Sequence, residues 1–175
     1  VKGSVVLPKE LSDKKIRIAN GIYRMGIGGL HSSEKQRVVR ADDTQVILDF
    51  DVERYYPAII LNQGLYPKHI GPAFLKVYKG LVAKRLAAKK AGQKRVSESL
   101  KILNNSSYGK MGNKWSVLYA PELVIAVTLT GQLALLMLIE MLADVVGAEI
   151  VSSNTDGVTV KCLKESEAEV LDVVK

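Results

Sequence analysis

Residues Ala148–Lys161 read AEIVSSNTDGVTVK. An apolar run leads into Ser-Asn-Thr-Asp-Gly, and an alternating apolar–polar run leads out. Asn, Asp and Gly tolerate positive φ or bond their own backbone, so the stretch predicts a β-hairpin with a tight turn. The turn carries one carboxylate, Asp156. Alone it is only a turn, and it gains meaning if a second acid lies on a neighbouring strand.

Such a strand is predicted upstream. TQVILDFDV, residues 44–52, is rich in β-branched residues and alternates, and Asp49 and Asp51 fall at period two on one side of it. YYPAIILNQG follows as a short helix stopped at Gly64. Sequence order allows the two acid-bearing segments to be neighbours in a sheet without proving it.

Between them the pattern turns helical. Residues 72–91 place Phe74, Tyr78, Leu81 and Val82 on one side, with Lys76, Lys79, Lys84 and Lys90 on a solvated outer face. After GQK a second helix is expected from about Arg95 to Tyr108, which makes an antiparallel helical hairpin. Lys101, Asn105 and Tyr108 share a face of this helix, while Val96, Leu100 and Leu103 are expected to bury against the core. A cation suits a phosphate and a ring suits a base or sugar, with Gly109 removing bulk beside the ring; an ordinary solvated face is the plain alternative. Arg85 and Lys89 continue the apolar side of the first helix and so should point inward, toward Lys101. A triphosphate pocket and snorkelling onto the surface account equally for that placement.

A long helix should start near Pro121 and Glu122. Its segment Leu123–Leu142 approaches the ~20 residues of a membrane span. Thr128, Thr130, Gln132 and Glu140 interrupt it, and its flanks carry Glu122 and Asp144. It reads as a buried core helix, with no membrane implied. An amphipathic helix, KESEAEVLDVVK, closes the chain. The order of elements gives an α+β fold, an antiparallel sheet backed by helices.

Composition sets bounds on the partners. The chain has 175 residues, a 47% hydrophobic fraction and a formal charge of +7, which fits a folded domain with a polyanionic partner. The single Cys162 excludes an internal disulfide and fits a reducing compartment, taken as cytoplasmic. VKGSVVLPKELSDKK lacks the apolar core of a signal peptide. Its lack of an initiator Met and the abrupt LDVVK end lead us to expect a piece of a longer chain.

Three ordered stretches carry a resemblance to family B (alpha-like) DNA polymerases, of the kind encoded by phages. DVERYYPAII, from Asp51, is similar to motif A, D-x-x-S-L-Y-P-S-I-I, and the Tyr-Pro offset selects Asp51 over Asp49 as the catalytic acid. KILNNSSYG fits motif B, K-x-x-x-N-S-x-Y-G, at Lys101, Asn105, Ser106, Tyr108 and Gly109. NTDG resembles motif C, Y-G-D-T-D-S, with Asp156 as its second acid. The first acid of that motif is Asn154 here, and Arg54 and Tyr55 replace the usual Ser and Leu of motif A. GIGGLHS, from Gly26, resembles more softly a Gly-Gly loop that in relatives joins the exonuclease to the polymerase and touches template.

The resemblance implies a palm with a short two-helix fingers hairpin. Residues 1–44 would lead into the palm, 45–70 form its first part, 71–110 the fingers, and 111–175 its second part. It implies template-directed addition of deoxynucleotides to a primer 3′-hydroxyl. Asp51 and Asp156 would bridge two Mg²⁺ ions, with Mn²⁺ as a possible substitute and the Val52 carbonyl as an extra ligand. Lys101 would contact the triphosphate and assist the leaving group, with Arg85 and Lys89 as partners. Asn105 would bond the incoming nucleotide, Tyr56 act as steric gate, and Tyr108 pack near the nascent base pair. Gly28, Gly29, Gly109, Lys110 and Lys114 would face DNA. Its partners would be template-primer DNA, deoxynucleoside triphosphates, and the exonuclease and thumb of the parent enzyme, without which little activity is expected. Another palm-type nucleotidyl transferase, such as a reverse transcriptase, and a non-catalytic nucleic-acid-binding relative are the alternatives.

Overall fold

The computed structural model describes residue 6, residues 8–12 and residues 14–175, so the stretch expected to hold no signal peptide lies partly outside the described residues. In chain order a one-turn helix α1 (Lys9–Ser12) precedes strands β1 (Lys15–Ile18), β2 (Gly21–Met25), β3 (Leu30–Ser32) and β4 (Gln45–Asp51). Four helices follow: α2 (Tyr55–Asn62), α3 (Ala73–Lys90), α4 (Lys94–Met111) and α5 (Pro121–Ala143). The chain then forms β5 (Glu149–Asn154), β6 (Gly157–Leu163), a 3₁₀ turn (Lys164–Ser166) and α6 (Glu167–Val174).

The six strands among the described residues join one sheet in the order β1-β2-β3-β5-β6-β4, and every pairing is antiparallel. With its helices this is the α+β fold expected from the sequence. The predicted hairpin is β5–β6, and the predicted upstream strand, β4, lies beside β6. A bulge between Ile150 and Ser152 shifts the β5–β6 register just before the turn.

The chain divides into two compact units. One comprises the sheet, with the described residues from 8 to 53 and residues 129–175. Its core joins Val158, Val160 and Cys162 of β6 to Leu135, Leu136, Ile139 and Leu142 of α5 and Val170 of α6. Burying each such aliphatic side chain stabilises by ~1.5–3 kcal/mol. Val46, Leu48 and Phe50 pack against this cluster, so Asp49 and Asp51, at the alternate positions of β4, take its other side. By length and composition α5 is apolar enough to cross a membrane, yet it buries one side in this core. Its opposite side leaves Leu129, Leu133, Met137 and Met141 exposed at four-residue spacing.

The other unit is Arg54–Thr128, with Val6. Helices α3 and α4 form the expected hairpin, and Gly92 takes φ +69° in the connection. Phe74, Tyr78 and Val82 are buried as predicted, and Ile59, Ile60, Met111, Val124 and Val127 complete the core.

The inner face of α4 differs from expectation. Val96 is 48% exposed and Leu103 is 44% exposed, while Ser97, Asn104, Ser107 and Met111 are buried. Only Leu100, half-buried, follows the expected pattern. Helix α3 supplies the apolar bulk and α4 meets it largely through small side chains. Tyr78 donates to the Asn104 backbone carbonyl at 2.9 Å, and Ser107 to the Leu103 carbonyl at 2.8 Å.

Candidate active site

Strand β4 runs antiparallel to β6 with Asp51 opposite Gly157, so the first acid comes level with the turn that carries the second. One residue on, the Val52 amide donates to the Asp156 carbonyl at 2.8 Å, which ties the two segments at the end of the ladder. Gly157 permits this approach, because a Cβ there would lie 2.9 Å from the Phe50 carbonyl oxygen. On the other side of the turn the Ser153 hydroxyl donates to the Gly157 carbonyl at 3.0 Å. The acid expected from turn chemistry and the acid expected from strand periodicity are thus brought together.

Electrostatics mark the pair. Burial raises the Asp156 pKa above the ordinary aspartate value, and the negative charge of Asp51 raises it further. A partly buried carboxylate beside a second one makes a place for a hard cation with oxygen ligands. Among the described residues no group of three or more His, Cys, Asp or Glu side chains could hold a metal. A metal here would therefore rest on Asp51, Asp156, the Val52 carbonyl and oxygens from outside the chain, and that donor set fits Mg²⁺ or Mn²⁺. Asp49 has another use, since it accepts a hydrogen bond from Thr159 at 2.7 Å. Asn154 accepts from the Thr155 hydroxyl at 3.1 Å and carries no charge. The two acids open onto a hollow of about 390 Å³, also lined by Ser152 and Thr159.

The Gly-rich segment is the β2–β3 connection of the same unit. Gly28 is exposed with open space around its Cα, whereas Gly29 is buried against Thr155. Strand β3 bridges β5 through His31 and Asn154.

The remaining predicted residues lie in the other unit. Arg85, Lys89 and Lys101 line one hollow of about 310 Å³ at the hairpin; Arg85 is half-buried, whereas Lys89 is exposed and does not point inward as expected. Lys94 and Glu98 line it too and were missed. Lys94 stands seven positions before Lys101, two helical turns on the same face, so the spacing contained the signal. Lys101 and Asn105 are exposed, and Tyr108 is half-buried.

The Tyr108 ring stacks on Tyr56 with centroids 4.4 Å apart, and Tyr56 stacks in turn on Tyr55 at 5.9 Å. Thr128 donates its hydroxyl proton to the Val124 carbonyl at 2.7 Å, so the Tyr108 hydroxyl, 2.5 Å from Thr128 Oγ1, must be the donor in that contact. Burial pushes the Tyr108 phenol pKa up. Arg54, just before α2, holds a left-handed backbone with φ +61°, unusual for a residue with a Cβ. Gly109 is exposed with open space around it, and Lys110 is exposed beside it. Lys114 sits 4.9 Å above the ring of Trp115, which is 85% exposed.

No protein-family model matches the sequence, and no curated protein matches it. Among solved structures the chain is similar to the family B DNA polymerase of the hyperthermophilic archaeon Pyrobaculum calidifontis. The superposition has a TM-score of 0.52 and 19% identity, over 83% of this chain. The chain spans 25% of that polymerase's length. At that identity the likeness is one of fold: this chain folds like part of a family B DNA polymerase.

Proposed function

We propose that this chain is a polymerase core that extends a primer 3′-hydroxyl with deoxynucleotides on a DNA template. The observation that carries the reading is the Asp51–Asp156 pair, one carboxylate at the end of β4 and the other in the turn brought level with it, whose pKa is raised by burial and then by the charge of Asp51. Mg²⁺, or Mn²⁺ in its place, would be held by Asp51, Asp156 and the Val52 carbonyl, and it would supply acidification of the primer hydroxyl and neutralisation of phosphate charge. Phosphoryl transfer depends mainly on positioning and charge, which suits a site of acids and cations without a covalent nucleophile.

The hairpin residues take the complementary roles. Lys101, Arg85 and Lys89 neutralise the triphosphate, and Lys101 is the proton donor toward the departing pyrophosphate. Asn105 bonds the nucleotide. Tyr56, braced by the Tyr108 ring, limits space at the sugar 2′ position, and Tyr108 packs by the nascent pair. Lys110, Lys114, Gly109, Gly28 and Gly29 are the DNA-facing positions.

Titration calorimetry with Mn²⁺ and a deoxynucleoside triphosphate tests this on the chain and on Asp156→Asn and Lys101→Ala. Metal-dependent nucleotide binding lost in the first variant and weakened about tenfold in the second is the expected result, since a charge-assisted contact is worth roughly 1.5–3 kcal/mol. Binding that both variants keep unchanged would sink the polymerase reading and favour a non-catalytic nucleic-acid-binding relative.

A further inference from the structure

The middle of α5 carries a buried amide, Gln132, whose use is not evident from the sequence. Gln132 is 3% exposed, and both ends of its side chain are engaged by a single residue far away in the chain. The Gly26 amide donates to Gln132 Oε1 at 3.0 Å, and Gln132 Nε2 donates to the Gly26 carbonyl at 3.0 Å. Only one orientation of the amide satisfies both groups, so the pairing works as a two-point clamp. The same Gly26 amide also donates to the Gly29 carbonyl at 2.9 Å, which closes the β2–β3 connection into a tight loop.

The far side of that loop meets the β5–β6 turn. The Thr155 amide donates to the Leu30 carbonyl at 2.7 Å. Gly29 has φ +153°, and a Cβ on it would lie 2.8 Å from Thr155 Cγ2 and 2.9 Å from Thr155 Cα. Thr155 itself has φ +47°, a left-handed conformation that a β-branched residue adopts only when its surroundings impose it. Here the Leu30 hydrogen bond and the bare flank of Gly29 impose it. Next door, the Ser32 hydroxyl donates to the Ser153 carbonyl at 2.8 Å and accepts from the Ser153 amide at 2.7 Å.

We infer that Gln132 is a positioning residue for Asp156. It anchors the Gly26–Gly29 loop to α5, and the loop holds Thr155 in its left-handed turn, which fixes the direction in which the following carboxylate is presented. For its catalytic meaning the inference rests on the reading of Asp156 as a metal ligand; the mechanical link stands apart from that reading.

Amide hydrogen exchange by NMR on the ¹⁵N-labelled chain separates the two. In the unmodified chain the Gln132 side-chain amide protons and the Thr155 backbone amide should exchange through one common opening, with equal protection. Gln132→Met keeps length and volume but removes both hydrogen bonds. It should speed exchange at Gly26 and Thr155 by about tenfold or more, as loss of a buried hydrogen-bonded pair implies, and leave Val160 and Ile139 unchanged. Mn²⁺ should bind this variant several-fold more weakly, as it should Gly29→Ala, which displaces Thr155 from the opposite side. Rapid exchange of the Gln132 amide beside a protected Thr155 would overturn the inference, a result readable even if the Met variant does not fold. So would a folded Gln132→Met chain with Thr155 protection and Mn²⁺ affinity both intact. If the unmodified chain binds no Mn²⁺ while the exchange pattern holds, the metal reading fails and the clamp survives.

Discussion

The contact between Tyr108 and Thr128 lends itself to a quantitative test, because one member can be removed without altering shape. Thr128→Val replaces a hydroxyl by a methyl group on a β-branched side chain, so packing at this buried position is kept. Two hydrogen bonds go: the one Thr128 accepts from Tyr108 and the one it donates to the Val124 carbonyl. The second is a back-bond to a carbonyl within the same helix and contributes little. The first leaves a half-buried phenol without a partner, so the loss should be about 1–1.5 kcal/mol. Tyr108→Phe removes the same bond from the other end and keeps the ring stacked on Tyr56. Because both changes remove the same bond, the losses overlap, and the double variant should be only slightly less stable than either single one. The expected coupling energy is about 1 kcal/mol, measured by urea unfolding of the four proteins in a double-mutant cycle. Additive losses within ~0.3 kcal/mol would refute the reasoning, and with it the claim that Thr128 fixes the ring under Tyr56.

Two further expectations concern buried polar groups. Asn104 is fully buried and neither polar atom of its side-chain amide has a partner among the described residues, a burden of about 1–3 kcal/mol that Asn104→Ala would relieve in exchange for a small cavity and a better helix former. The urea midpoint should rise, and a fall would mean that the amide is satisfied after all. Burial, with the charge of Glu34 adding to it, pushes the Tyr23 phenol pKa up to about 12. An unfolded tyrosine ionises near 10, so the neutral form's contribution is complete below about pH 10 and is lost as pH rises through about 12. Alkaline unfolding followed by phenolate absorbance should be delayed in Tyr23→Phe, and identical curves for the two proteins would count against this.

Parts of this architecture were legible because local chemistry and tertiary structure agree. Asn154, Asp156 and Gly157 are turn residues at a turn, and the alternation around Asp49 and Asp51 is that of a half-buried strand. Phe74, Tyr78 and Val82 follow helical spacing onto a buried face. Other parts were hidden for physical reasons. Strands β1 to β3 are three to five residues long, too short for periodicity to separate them from loop. Their signal was the Ile16/Ile18 and Tyr23/Met25 alternation around Asn20-Gly21, and it needs the rest of the sheet to be stable. The inner face of α4 was misjudged because hydrophobicity singles out Val96 and Leu103, whereas close helix packing selected Ser97 and Ser107. Gln132 was legible only as an interruption of an apolar run, since its partner, Gly26, lies 106 residues away.

The order of segments along the chain has a consequence for synthesis. Strand β4, with Asp51 at its end, leaves the ribosome before any of Arg54–Thr128, and its sheet neighbour among the described residues, β6, comes after all of it. The helical unit is therefore complete while the sheet unit still lacks a third of its strands. Until residue 163 has emerged, β4 is an apolar strand with both edges unpaired, the state in which nascent chains pair with the wrong neighbour. The acid-bearing strand is thus among the earlier segments made and among the last to be secured, so a ribosome stalled between α5 and β6 would release a product that is folded in one half and adhesive in the other.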